Sequence, residues 1–107
     1  DANAGILASV QADTTDADIE DNEISDFDQG VLLFENPPSS NLDNFSITGN
    51  SISSADTGIL AVELAGDGDT FSDINGESAT NAQQQALESD NVFAASVDTD
   101  ADVQADP

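Results

Sequence analysis

The chain of 107 residues contains no Lys, Arg or His and 23 acidic residues, for a formal net charge of -23. Without cations it cannot displace the counterions of a phosphate backbone or be drawn to anionic lipid, which excludes nucleic acid and charged membrane surfaces as partners. It has no cysteine for a disulfide or thiol chemistry, and no apolar run approaches the ~20 residues that a membrane-spanning helix needs.

With 37% hydrophobic residues and five Phe as its whole aromatic content, the composition overlaps that of disordered chains. Repetition argues against disorder. In chain order, Gly5-Ile6-Leu7-Ala8 is the first turn residue followed by a short apolar run, the pattern of a buried strand. A more polar strand follows at Ala17 to Ile24, and then Gly30-Val31-Leu32-Leu33. The pair recurs as Phe45 to Ile52 and Gly58-Ile59-Leu60-Ala61. Both members move together, since Ile19 to Ile47 and Gly30 to Gly58 are each 28 positions. Asn91-Val92-Phe93-Ala94 reads as the fourth apolar run, and Phe71-Ser72-Asp73-Ile74 as a degraded copy of the polar strand. Thr99-Asp100-Ala101-Asp102-Val103 nearly repeats Thr15 to Ile19 at 84 positions, three times 28.

A period in the high twenties predicts stacked passes of chain that share one core, because a single pass buries little by itself. The fold class is all-β, a parallel solenoid of about three to four coils in a single domain over residues 1–107, with coils starting near Gly5, Gly30, Gly58 and Asn91. Residues 37–40, 65–70 and 77–89 fall in turns between strands, with Gln83 to Glu88 open between loop and helix. The first strand begins at Gly5, the last ends at Val103, and neither is preceded or followed by an amphipathic helix, so both ends are expected to be uncapped.

The pattern Ile-x-x-Asn-x-Ile, a polar turn and then Gly-Ile/Val-Leu resembles the repeats of pectin-lyase-like right-handed parallel β-helices. Ile19, Asn22, Ile24, Gly30 and Val31 carry it once, and Ile47, Asn50, Ile52, Gly58 and Ile59 carry it again. The resemblance implies the fold and its handedness, whereas members of that superfamily range from pectin-cleaving enzymes to adhesins, so activity does not follow from it.

Stacking at 28 residues puts Asn22 beneath Asn50 as a ladder of amides, and Gly30 and Gly58 at corners that call for positive φ. Most acids fall over neutral residues: Glu20 over Thr48, Glu23 over Ser51, Asp26 over Ser54. Asp28 over Asp56 and Glu35 over Glu63 are the exceptions, and these pairs either splay into solvent or hold Ca2+ between coils. Asp67 and Asp69, with Asp73 and Asn75, form a second candidate for Ca2+, as does Asp98-x-Asp100-x-Asp102; none has the EF-hand spacing. The five Phe are read as core, since the Trp and Tyr of a typical sugar-stacking floor are missing.

Self-repulsion of this size is screened when the Debye length shrinks to roughly 3 Å near 1 M salt. The expected protein is therefore an acidic extracellular or cell-surface module, structural or adhesive, suited to high salt or divalent cations. It self-associates through open solenoid ends into a filament or forms part of a longer solenoid. It is expected not to be an enzyme: the Lys or Arg base of the lyases is missing, and no acid pair stands out from the background. A polysaccharide-binding or polysaccharide-cleaving fragment is the alternative.

Overall fold

A computed structural model describes residues 4–10, 16–35, 44–63 and 73–104. Eight strands and one helix follow in the order β1 (Ala4–Val10), β2 (Asp16–Glu20), β3 (Glu23–Glu35), β4 (Asn44–Thr48), β5 (Ser51–Glu63), β6 (Asp73–Ile74), α1 (Thr80–Asp90), β7 (Val92–Phe93) and β8 (Val97–Gln104). The strands form two sheets. The larger runs β1-β3-β5, with β7 and β8 both paired to the far edge of β5; the smaller runs β2-β4-β6. Every pairing of named strands is parallel. Each pass of the chain thus lays one strand on the smaller sheet and one on the larger.

The register explains why the sequence repeats. Ile19 pairs with Ile47 and Ile24 with Ile52, so equal side chains stack in columns. Val31, Ile59 and Ala101 make one inward column and Leu33, Ala61 and Val103 another; all six are buried. Ile19, Ile47 and Phe45 from the smaller sheet and Ile24 and Ile52 from the larger join the same core, and each buried aliphatic side chain contributes about 1.5–3 kcal/mol. Between Ser25 and Phe27 the long strand β3 turns at Asp26 (φ 68), and β5 does the same at Ser54 (φ 53). Phe27 and Phe93 are partly buried against the core. The side chain of Phe34, and Phe71 as a whole, lie outside the described residues.

The third pass departs from the predicted spacing. β4 and β6 pair as Asn44–Asp73 and Phe45–Ile74, a shift of 29, so Ile74 rather than Phe71 stands over Phe45. Ser51 pairs with Val92, a shift of 41, and Thr57 with Thr99, a shift of 42. The apolar run Asn91-Val92-Phe93-Ala94 therefore continues the column of Asn50-Ser51-Ile52 and not that of Gly58. Thr99 to Val103 lies on the larger sheet beside Thr57 to Ala61, so its likeness to Thr15–Ile19 is not a structural register.

The cause is an insertion. Asn75 (φ 53) and Gly76 (φ 83) make a tight reversal closed by the reciprocal bonds Ile74 N–H to Glu77 O and Glu77 N–H to Ile74 O, both 3.0 Å. Two successive left-handed residues are what an Asn-Gly pair favours. The chain then forms α1, a helix that includes Gln83 to Glu88, the stretch left open between loop and helix, and reaches beyond it on both sides. Its run of Ala, Gln and Leu suits a helix, but Glu88 and Asp90 oppose the dipole at its C-terminal end and Ala79 gives no side-chain cap. Packing holds it instead: Leu87 and Gln83, one turn apart, are fully buried.

α1 lies against β8. The Val103 N–H, on the side of β8 that β5 leaves unused, donates to Gln84 Oε1 at 3.2 Å. This end of the stack is covered by a helix, contrary to the expectation of two bare ends; with one large apolar residue in eleven, α1 carries no amphipathic signature.

Candidate functional site: an amide ladder and an acidic groove

The link between the two sheets is made by asparagine. Asn22 precedes β3, Asn50 precedes β5 and Asn91 precedes β7. Asn50 Oδ1 accepts from both the backbone N–H and Nδ2 of Asn22, at 3.0 and 2.9 Å. Asn91 Oδ1 accepts in the same way from Asn50 N–H (3.0 Å) and Nδ2 (2.9 Å). In the two inner rungs Nδ2 also donates back to a carbonyl of the smaller sheet: Asn50 to Ile19 O and Asn91 to Ile47 O, both 2.9 Å. Asn50 is fully buried with four partners on its amide, so its polarity is wholly compensated.

The ladder ends on the helix. Asn91 Nδ2 also donates to Leu87 O at 2.9 Å, where a further Asn would otherwise accept. Asp90 O takes the Gly49 N–H at 2.8 Å. On the smaller sheet Asn75 stands in for missing strand: its Oδ1 accepts from Ile47 N–H at 2.6 Å and its Nδ2 donates to Ile47 O at 2.8 Å. Asn91, 41 positions after Asn50, is thus a structural amide that the 28-residue spacing does not reach, whereas Asn75 lies 28 positions after Ile47 and is marked by the Asn-Gly dipeptide.

Gly30 and Gly58 do not take positive φ; among the described glycines Gly49 (φ 71) and Gly76 (φ 83) do. They are glycine because passes approach too closely. A Cβ on Gly30 would lie 2.6 Å from Gly58 O and 2.8 Å from Ile52 Cγ2, and one on Gly58 would lie 2.6 Å from Asp100 O. The corners fall at Asp21, Asp26, Ser54 and Asn75, non-glycine residues with φ between 53 and 68.

Asp28 and Asp56 occupy matching positions on β3 and β5, flanked by the pairs Phe27–Ala55 and Gln29–Thr57. With Asp26 and Asp98 they line an open groove floored by Phe27 and Ala55 and edged by Ser54 and Ser96. Glu35 and Glu63 are backbone partners at the ends of β3 and β5, with their side chains outside the described residues. Asp67 and Asp69 lie outside the described residues altogether. Asp73 is engaged locally, its Oδ1 accepting from Gly76 N–H at 2.8 Å, which braces the reversal that leads to α1. Asp98 and Asp100 are exposed along β8, while Asp102 accepts from Gln104 Nε2 at 3.0 Å. Among the described residues no three acidic side chains converge into a metal-binding group.

The outer face of the larger sheet carries a different column. Leu7 pairs with Leu32 and Leu32 with Leu60. Leu7 is 62% exposed, and the other two are half-buried. Comparison with known proteins finds no matching family model, no matching curated protein and no matching solved structure.

Proposed function

We propose that the two sheets are walls of a parallel β-solenoid of the pectin-lyase-like type, and that the chain is a non-catalytic structural or adhesive module of an extracellular surface. The observation that carries this reading is the continuous ladder Asn22–Asn50–Asn91. The same buried amide is reused at each pass, which specifies a stack and spends the polar side chains of the interior on architecture. The carboxylates with described side chains are exposed or half-buried, suiting a rigid body kept soluble by its own charge, with salt or divalent cations such as Ca2+ as counter-charge. Of the two forms of association expected from the sequence, a head-to-tail filament needs an open edge at both ends. The contact of α1 with β8 at Val103 counts against the filament.

The test is functional and structural together. In molar NaCl the protein is expected to give a β-type circular dichroism spectrum, to melt cooperatively and to release no reducing ends or unsaturated products from pectin or alginate. Product formation above a heat-inactivated control would replace this reading with the polysaccharide-cleaving one.

A further inference from the structure

The two outer edges of the larger sheet are unequal. The edge at β8 carries Asp98, Asp100 and Asp102 and gives its Val103 N–H to the helix. The edge at β1 has the sequence Ala-Gly-Ile-Leu-Ala-Ser-Val, seven residues without a charge in a chain that holds 23 acids. Natural sheets blunt such edges with charge, proline or a covering element. β1 has no acid and no proline, and among the described residues no strand pairs with its outer side.

We propose that β1 is a self-association edge, on which a second copy of this chain pairs its own β1 antiparallel about a two-fold axis at Leu7. The β8 edge is engaged by α1 at Val103 and carries three acids along the rest, which leaves β1 as the uncharged edge of the larger sheet, and a patch that meets itself does so isologously. Charge selects the same contact, because β1 against β1 sets seven neutral residues against seven where carboxylates elsewhere would face carboxylates. Leu7 is the middle residue of the strand. A two-fold axis perpendicular to the sheet keeps opposed side chains on one face. The column Leu60, Leu32, Leu7 would then run on into its symmetry mate and cover the exposed Leu7. A seven-residue edge, roughly 23 Å long, is a small interface, so the dimer is weak and forms when salt screens the two acidic bodies. The proposal deepens the module reading by naming its partner, and it requires only the free edge of β1.

Sedimentation equilibrium of the intact chain across a concentration series, in 0.1 M and 2 M NaCl, is expected to show a monomer–dimer equilibrium in the higher salt. Leu7→Lys should raise the dissociation constant at least about tenfold, the effect of roughly 1.4 kcal/mol. The chain has no cysteine of its own. Under mild oxidation in 2 M NaCl, Leu7→Cys should cross-link to a dimer, since opposed Cβ atoms of an antiparallel pair lie within disulfide reach. Asp102→Cys, on the covered edge, should cross-link far more slowly. A monomer at every concentration, or equal cross-linking from both positions, would overturn the proposal. Either result leaves the module reading intact, because that reading fails on polysaccharide turnover and this one on association.

Discussion

The two ends of the larger sheet are finished by different physics. At β8, Val103 gives its outward N–H to Gln84, Asn91 gives its spare amide proton to Leu87 O, and Gly49 gives its N–H to Asp90 O. The Val103 and Asn91 donors, which a further pass would satisfy, are satisfied by one helix. At β1 the strand carries no charge and Leu7 lies 62% exposed, and on the ladder beside it Asn22 is only half-buried whereas Asn91 is buried. The contrast teaches that a stack of parallel passes is not closed by its repeats, since every repeat leaves the same unpaired groups for the next; closure needs a segment that breaks the pattern.

The largest expected effect lies in the ladder that joins the two ends. Asn50→Ala removes the amide partner of Ile19 O and of the N–H and Nδ2 of Asn22, leaves Asn91 Oδ1 with the backbone N–H of residue 50 alone, and should cost about 3–5 kcal/mol in urea unfolding. Asn22→Ala, at the open end, should cost less than half of that. Equal losses at both positions would mean that the two ends are equally buried in solution. Next comes the helix. Leu87→Ala removes a fully buried side chain and should cost about 2–4 kcal/mol, whereas Leu7→Ala in the monomer should stay within about 0.5 kcal/mol. Gln84→Ala should cost about 1 kcal/mol and speed amide hydrogen exchange at Val103 selectively, since the core beneath is untouched. The smallest effect concerns the groove between the ends. Asp56→Asn should raise the melting temperature slightly in 0.1 M NaCl and leave it unchanged in 2 M, as screening removes the repulsion from Asp28 and Asp98. If Ca2+ stabilises the wild type but not an Asp28→Asn, Asp56→Asn double variant, the groove is its binding place; an equal rise in both would exclude it.

The first two passes, β2 with β3 and β4 with β5, are legible in the sequence. The 28-residue shift of Ile19, Asn22, Ile24 and Gly30 is the register found for β2 with β4 and β3 with β5, because identical columns bury best when stacked on themselves. The third pass departs from the sequence pattern for a physical reason. Asn91-Val92-Phe93 resembles both Gly58-Ile59-Leu60 and Asn50-Ser51-Ile52 in polarity, and only the hydrogen bonds of a buried amide tell them apart. Thr99–Val103 alternates like Thr15–Ile19, and alternation by itself does not say which sheet a strand joins. The glycines were legible as positions that tolerate no side chain, but the cause is the carbonyl of the next pass and not a left-handed backbone.

Composition alone set the expectation about phosphate-bearing partners, since a chain without Lys, Arg or His has no cationic side chain to neutralise phosphate. Periodicity determined that its passes stack in parallel, since a shift common to apolar, amide and glycine positions fits one register. The tertiary structure decided how the stack stops. A helix with one leucine has no amphipathic signal; its worth lies in three acceptors, Gln84 Oε1 and Asp90 O, which reach the distant N–H groups of Val103 and Gly49, and Leu87 O, which takes the amide of nearby Asn91. Such matches depend on where the last pass leaves its unpaired groups, which no local pattern records.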